Sequence, residues 1–114
     1  MPAPRLKRVY DAPAGDDGMR ILVDRLWPRG LTKEKAAIDL WAKSVAPSDA
    51  LRHEFHGHPD RWQEFVSAYK DELKGNPALA ELEALVRKAR TTLLYASRDE
   101  ARVNAVVLAE VLKG

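Results

Sequence analysis

A chain of 114 residues with 46% hydrophobic and 32% charged residues has enough apolar material for one globular domain, which excludes an intrinsically disordered chain. Nineteen Lys and Arg set against seventeen Asp and Glu leave a net charge of +2, an excess too small to make nucleic acid the expected partner. Zero cysteines exclude disulfides, thiolate metal sites and a cysteine nucleophile.

No apolar run approaches the ~18 residues of a membrane span, and the opening MPAPRLKR lacks the apolar centre of a signal peptide. The expectation is a cytoplasmic protein with no membrane partner. Leu6 to Tyr10 reads as a first short strand, and the Pro-, Gly- and Asp-rich stretch from Asp11 to Met19 as a loop. That loop is too short for the crossover that parallel neighbours need, so the first two strands should be antiparallel or not adjacent. Ile21, Leu22 and Val23 form a run without alternation, the pattern of a strand covered on both faces. It leads directly into Asp24, Arg25, Trp27, Pro28, Arg29 and Gly30, where the proline ends the strand.

Thr32 is placed to cap a short helix through Ala37, and Leu40 to Val45 reads as a brief strand. Ser48 caps a helix carrying Leu51 and Phe55, and Pro59 at a first helical position opens the next one. Trp62, Phe65, Val66, Tyr69 and Leu73 give that helix one apolar stripe, and Gly75 ends it. Asn76-Pro77 starts a further helix with Leu79, Leu82, Leu85 and Val86, running to about Arg90. Thr91 to Ala96 is a second unbroken apolar strand. Ser97 and Glu100 have the spacing of a capping box, which predicts a last helix opening at Ser97 and burying Val103, Val106, Val107 and Val111. The long helical passage between the two strong strands lets them lie parallel through a right-handed crossover. The fold class expected is a single α/β domain over 1–114, three layers deep, with a mostly parallel central sheet of about four strands and about five helices.

In such sheets ligands sit beyond the carboxyl ends of the strands. If the two strong strands are both central, Asp24, Arg25 and Arg29 meet Ser97, Asp99 and the start of the last helix, where guanidinium groups and free backbone N–H groups suit a phosphate or carboxylate. Asp24 or Asp99 would supply any proton transfer. Asp24 and Arg25, as neighbours on extended backbone, point to opposite faces and each needs its own partner. The structural alternative is an ion network, for instance Asp24 with Arg29 around the Trp-Pro turn. His53, His56 and His58 read as a helix end rather than a metal site, because nothing completes a ligand set. Lys43 and Trp41 either flank a flat anionic ligand or pair as core and solvated stem. Arg52 reads as a surface residue beside Leu51, Tyr69 as core with a hydroxyl needing a partner, and Arg87, Lys88 and Arg90 as cations at a helix end. The absence of a G-x-S-x-G elbow, a Walker A loop and a dinucleotide glycine fingerprint removes support for the serine hydrolase, nucleotide triphosphatase and Rossmann routes, and no cofactor is expected.

The segments KRVYD, RILVDRLWPRG, LWAKSVAPS, LRHEF and TLLYASRDEARVNAVVL, which together span nearly the whole chain, resemble the short YeaO-like branch of the domain of unknown function 488 family. The resemblance implies a compact bacterial α/β domain of unassigned biochemistry. It also adds Lys43, Arg52 and Asn104 to the residues expected at the site. Longer members carry Cys-His near the start of the last helix, where this chain has Val103-Asn104, so cysteine- or histidine-dependent chemistry is not implied there.

Together these readings predict a small anionic ligand, phosphorylated or nucleotide-like, held by Arg25, Arg29, Lys43 and Arg52. Asn104 would orient it, Asp24 or Asp99 would move protons, and the activity would be that of a hydrolase or transferase. The alternative is a non-catalytic module that binds a protein partner, a second copy of itself or, weakly, nucleic acid.

Overall fold

The computed structural model describes residues 4–113. Four strands, β1 (Arg5–Arg8), β2 (Met19–Leu22), β3 (Leu40–Trp41) and β4 (Thr91–Tyr95), form one sheet in the order β1-β4-β2-β3, and every neighbouring pair is parallel. Placing β4 between β1 and β2 resolves the short-loop problem, since the two strands joined by that loop are not neighbours. Five α-helices accompany the strands among the described residues: α1 (Lys33–Ala36), α2 (Asp49–Gly57), α3 (Trp62–Lys74), α4 (Pro77–Lys88) and α5 (Asn104–Lys113).

Period-two alternation divides the central strands between two cores of unequal size. Ile21, Val23, Leu93 and Tyr95 face the larger one, with Phe65, Tyr69 and Leu73 of α3, Leu82 and Val86 of α4, and Val107 and Leu108 of α5. Leu22 and Leu94 face the smaller one, closed by Val9, Ala36, Trp27, Leu31, Ile38 and Trp41. One layer is thus built of long helices, and the opposite layer of one helical turn and an aromatic loop. Truncating a fully buried leucine such as Leu93 would cost about 2 to 5 kcal/mol.

The caps fall where short polar side chains can accept from free N–H groups. Thr32, Ser48 and Asn76 accept from Lys35, Leu51 and Ala78, and Pro77 occupies the first turn of α4. Three expectations are corrected. Leu40 to Val45 is a strand only as far as Trp41, after which Lys43–Val45 forms a 3₁₀ turn. Pro59 sits in a turn closed by the Arg61 N–H on the His58 carbonyl, and α3 begins at Trp62. The last helix begins at Asn104 rather than at Ser97. The Ser97 hydroxyl accepts from the Asp99 N–H at 3.1 Å, and Asp99 Oδ1 accepts from Ala101 and Arg102, each at 2.9 Å. These local side-chain bonds satisfy the backbone in a non-helical loop, which delays the helix.

The amino ends of the strands hold the most deeply buried charges. Arg20, 4% exposed, pairs with Asp17, 3% exposed, and also donates to the carbonyls of Ala36 and Ala37 at 2.9 and 3.0 Å, closing the last turn of α1. Lys7 reaches the same Asp17 carboxylate at 3.2 Å. Gly18 lies beside them with φ +69°, and a Cβ there would stand 2.2 Å from the Arg90 carbonyl oxygen. Only glycine fits that approach.

Candidate functional site

At the carboxyl ends of β2 and β4 the chain leaves the sheet through two loops that face each other. Pairing continues one residue past β2, with the Val23 N–H on the Leu94 carbonyl at 3.1 Å, and then the loop carrying Asp24 departs. Asp24 Oδ2 accepts the Ala96 N–H at 2.9 Å, joining the ends of two adjacent strands. From behind, Asn104 at the start of α5 donates its amide to the Val23 carbonyl at 3.0 Å. The aromatic residues fix the rest of the loop. Trp41 Nε1 donates to the Asp24 carbonyl and Trp27 Nε1 to the Leu31 carbonyl, both at 2.8 Å, and the two indoles meet edge to face with centroids 5.5 Å apart. The Tyr10 hydroxyl donates to the Arg29 carbonyl at 2.8 Å.

A cleft of about 440 Å³ opens between these loops and α2. Asp24, Arg25, Arg29, Arg52, His56, Ser97, Arg102 and Asn104 supply its polar groups, and Tyr10, Leu26, Trp27, Phe55, Phe65 and Val103 supply apolar wall. That volume lies in the ordinary range for small-molecule sites, roughly 300 to 1,000 Å³.

The four arginines are not equivalent. Arg52 is paired with Asp49 at 2.7 Å, and Arg25 donates to the Pro47 carbonyl at 3.2 Å and stands 3.7 Å from Asp49. Arg29 and Arg102 are exposed and have no carboxylate within ion-pair distance among the described residues. The Asp24–Arg29 pair of the structural alternative is not formed. Asp24 is the cleft's single carboxylate, and desolvation raises its pKa above the usual value, against the opposing effects of the Ala96 N–H, the Asn104 amide and the Arg52 charge. It is a carboxyl held without a salt-bridge partner beside a concentration of guanidinium groups.

Five of the seven residues singled out from sequence, Asp24, Arg25, Arg29, Arg52 and Asn104, are brought together here. Asp99 and Lys43 are not. Asp99 is fully exposed, its carboxyl lowered in pKa by the Arg102 and Ala101 N–H groups it accepts, and it shapes the loop without lining the cleft. Lys43 is exposed on the 3₁₀ turn, outside the cleft lining, with its ammonium 5.0 Å from the centre of the Trp41 ring. Sequence reasoning missed Arg102 and Tyr10. Arg102 lies two residues before Asn104, and the capping-box spacing, by setting the helix start at Ser97, puts it inside a helix.

Nothing in the cleft has the donor set of a metal site. No group of three or more His, Cys, Asp or Glu able to hold an ion occurs among the described residues. His56 lines the cleft rim, whereas His58 closes α2 by donating its N–H to the Glu54 and Phe55 carbonyls. No helix among the described residues is long and apolar enough to cross a membrane.

Comparison with known proteins agrees with the residue pattern. An uncharacterized protein of Mycobacterium tuberculosis strain H37Rv and one of Mycobacterium bovis are each 46% identical over 110 residues, 96% of this chain and 93% of theirs. The uncharacterized protein YeaO of Escherichia coli K12 is 42% identical over 108 residues, 94% of either chain. No solved structure matches the chain. A family model described as the inactive DUF488-N3 subclade matches residues 4–114, and with these relatives it establishes that the chain belongs to the YeaO-like branch of the DUF488 family.

Proposed function

We propose that the strand-end cleft binds a small anionic ligand, phosphorylated or nucleotide-like, and retains it without turning it over. The observation that carries this reading is the pair of exposed guanidinium groups, Arg29 and Arg102, that line one cleft without a carboxylate partner among the described residues. Guanidinium groups in a concave, largely apolar site are bidentate donors suited to phosphate or carboxylate. Of the two carboxylates expected to move protons, only Asp24 lines the cleft. The description of the matched family model as inactive supports binding without turnover. A cytoplasmic setting belongs to the same reading, supported by the absence of cysteine.

The test is a thermal-shift screen against inorganic phosphate and nucleoside monophosphates, repeated on Arg29→Ala and Arg102→Ala. A ligand at about 100 times its Kd adds roughly 2.7 kcal/mol, a shift of about ten degrees for a domain of this size. The shift is expected in the parent protein and lost in both variants. A shift that survives both substitutions places the ligand elsewhere, and no shift with any anion overturns the reading.

A further inference from the structure

We infer that the ligand of this cleft carries, besides its anionic group, a flat ring with an N–H edge that Asp24 receives, as in an amino-bearing nucleoside monophosphate. The inference rests on the anion-binding reading above and adds a second pole to the ligand. A cleft built only for an inorganic anion would have no use for a carboxylate, which would repel it. Yet Asp24 lines the cleft together with Arg29 and Arg102, and no cation lies within ion-pair distance of it among the described residues.

The geometry leaves that carboxylate with capacity to spare. The Ala96 N–H engages Oδ2 at 2.9 Å, and the Asn104 amide is close enough to favour the charged form. An ionised carboxylate has about four acceptor sites, and the protein fills only some of them. A desolvated charge left this way is costly unless a partner arrives, and the ligand is the molecule that enters this space. An N–H edge satisfies it by hydrogen bonds to a charged acceptor, the stronger class of such bonds.

The walls supply the remaining requirement. Tyr10, Leu26, Trp27, Phe55 and Val103 give the cleft apolar and aromatic lining. Flat rings bind such surfaces by stacking, and each base stacked on an aromatic side chain adds appreciably to affinity. Anion, ring and N–H edge together describe a nucleotide carrying an amine or amide on its base better than they describe an aliphatic phosphate.

The experiment compares, by calorimetric titration, adenosine, guanosine and cytidine 5′-monophosphates with purine riboside 5′-monophosphate, which keeps the ring, sugar and phosphate and lacks the N–H edge. Inorganic phosphate is titrated alongside. At least one amino-bearing nucleotide is expected to bind roughly tenfold or more tightly than the purine riboside analogue. Asp24→Asn is expected to shrink that ratio severalfold while leaving phosphate affinity unchanged or improved. Equal affinity for all four nucleotides, or binding of inorganic phosphate alone, overturns the inference and leaves the anion reading intact. Binding of none of the probes, phosphate included, overturns both. Because the nucleotide comparison uses the parent protein, it decides the matter even if the variant does not fold.

Discussion

The Asp24 carboxylate accepts the N–H of Ala96, so an acidic side chain at the end of β2 is fastened to the backbone at the end of β4, seventy-two residues away. The bond does two opposed things. It joins the strand ends on which the cleft is built, and it holds a charge where burial works against it.

Replacement of that charge should therefore stabilise the protein. The folded-state pKa of Asp24 is raised, so the native state holds its proton more tightly than the unfolded chain does, and stability falls as pH rises from the unfolded value through the raised folded one. Asp24→Asn keeps an acceptor for Ala96 and removes the charge. It is expected to raise stability at pH 7 by about 1 kcal/mol, a few degrees in Tm, with the advantage shrinking as the pH is lowered through the raised pKa. Thermal melts of both proteins across that range check it, and a variant less stable at pH 7 would refute the desolvation argument.

The cleft arginines are expected to behave differently from the buried one. Arg29→Ala and Arg102→Ala remove exposed side chains with no side-chain partner among the described residues, so unfolding free energies from denaturant titrations should change by no more than about 0.5 kcal/mol. A larger loss would assign them a structural task.

Asp17→Ala should be severe. It strips Arg20 and Lys7 of their shared counter-charge, leaving Arg20 buried, and breaking one side of such a pair costs about 3 to 5 kcal/mol. A double replacement of Asp17 and Arg20 by apolar residues of similar volume should recover part of the loss. The Asp17 pKa is lowered, first by the Ala14 N–H it accepts and also by Arg20 and Lys7, so its contribution is present above the unfolded value and disappears as pH falls through the lower folded one. Urea unfolding of the three proteins gives the comparison.

Gly18→Ala combines a positive φ of +69° with a Cβ set 2.2 Å from the Arg90 carbonyl oxygen. Backbone strain alone costs about 1 to 3 kcal/mol, and the clash adds to it by disturbing the Met19 N–H bond to that same carbonyl. A Tm lowered by less than a few degrees would mean the turn can relax.

Much of this architecture is written in short-range patterns. Runs such as Ile21-Leu22-Val23 and Thr91-Thr92-Leu93-Leu94 have no alternation, and that alone places β2 and β4 at the centre of a parallel sheet. Ser48, Asn76 and Pro77 mark helix starts because the capping interaction is local. The capping-box pattern at Ser97 failed for an equally local reason. Asp99, between the two expected partners, takes the loop N–H groups for itself, and no spacing rule ranks these competing acceptors. The cleft was legible where it follows strand ends, as with Asp24, Arg25 and Arg29. It was not legible where it depends on how loops fold over, as with Arg102 entering it and Lys43 lying on Trp41 outside it.

Trp27 stands on the cleft wall with its indole N–H committed to Leu31, and Trp41 lies behind it in edge contact, itself committed to Asp24. Both rings are held by backbone carbonyls, so a ligand filling the cleft would change what surrounds Trp27 without changing where it stands. A change in tryptophan emission on adding a ligand, lost when Trp27 is replaced and kept when Trp62 is, would then register occupancy rather than movement.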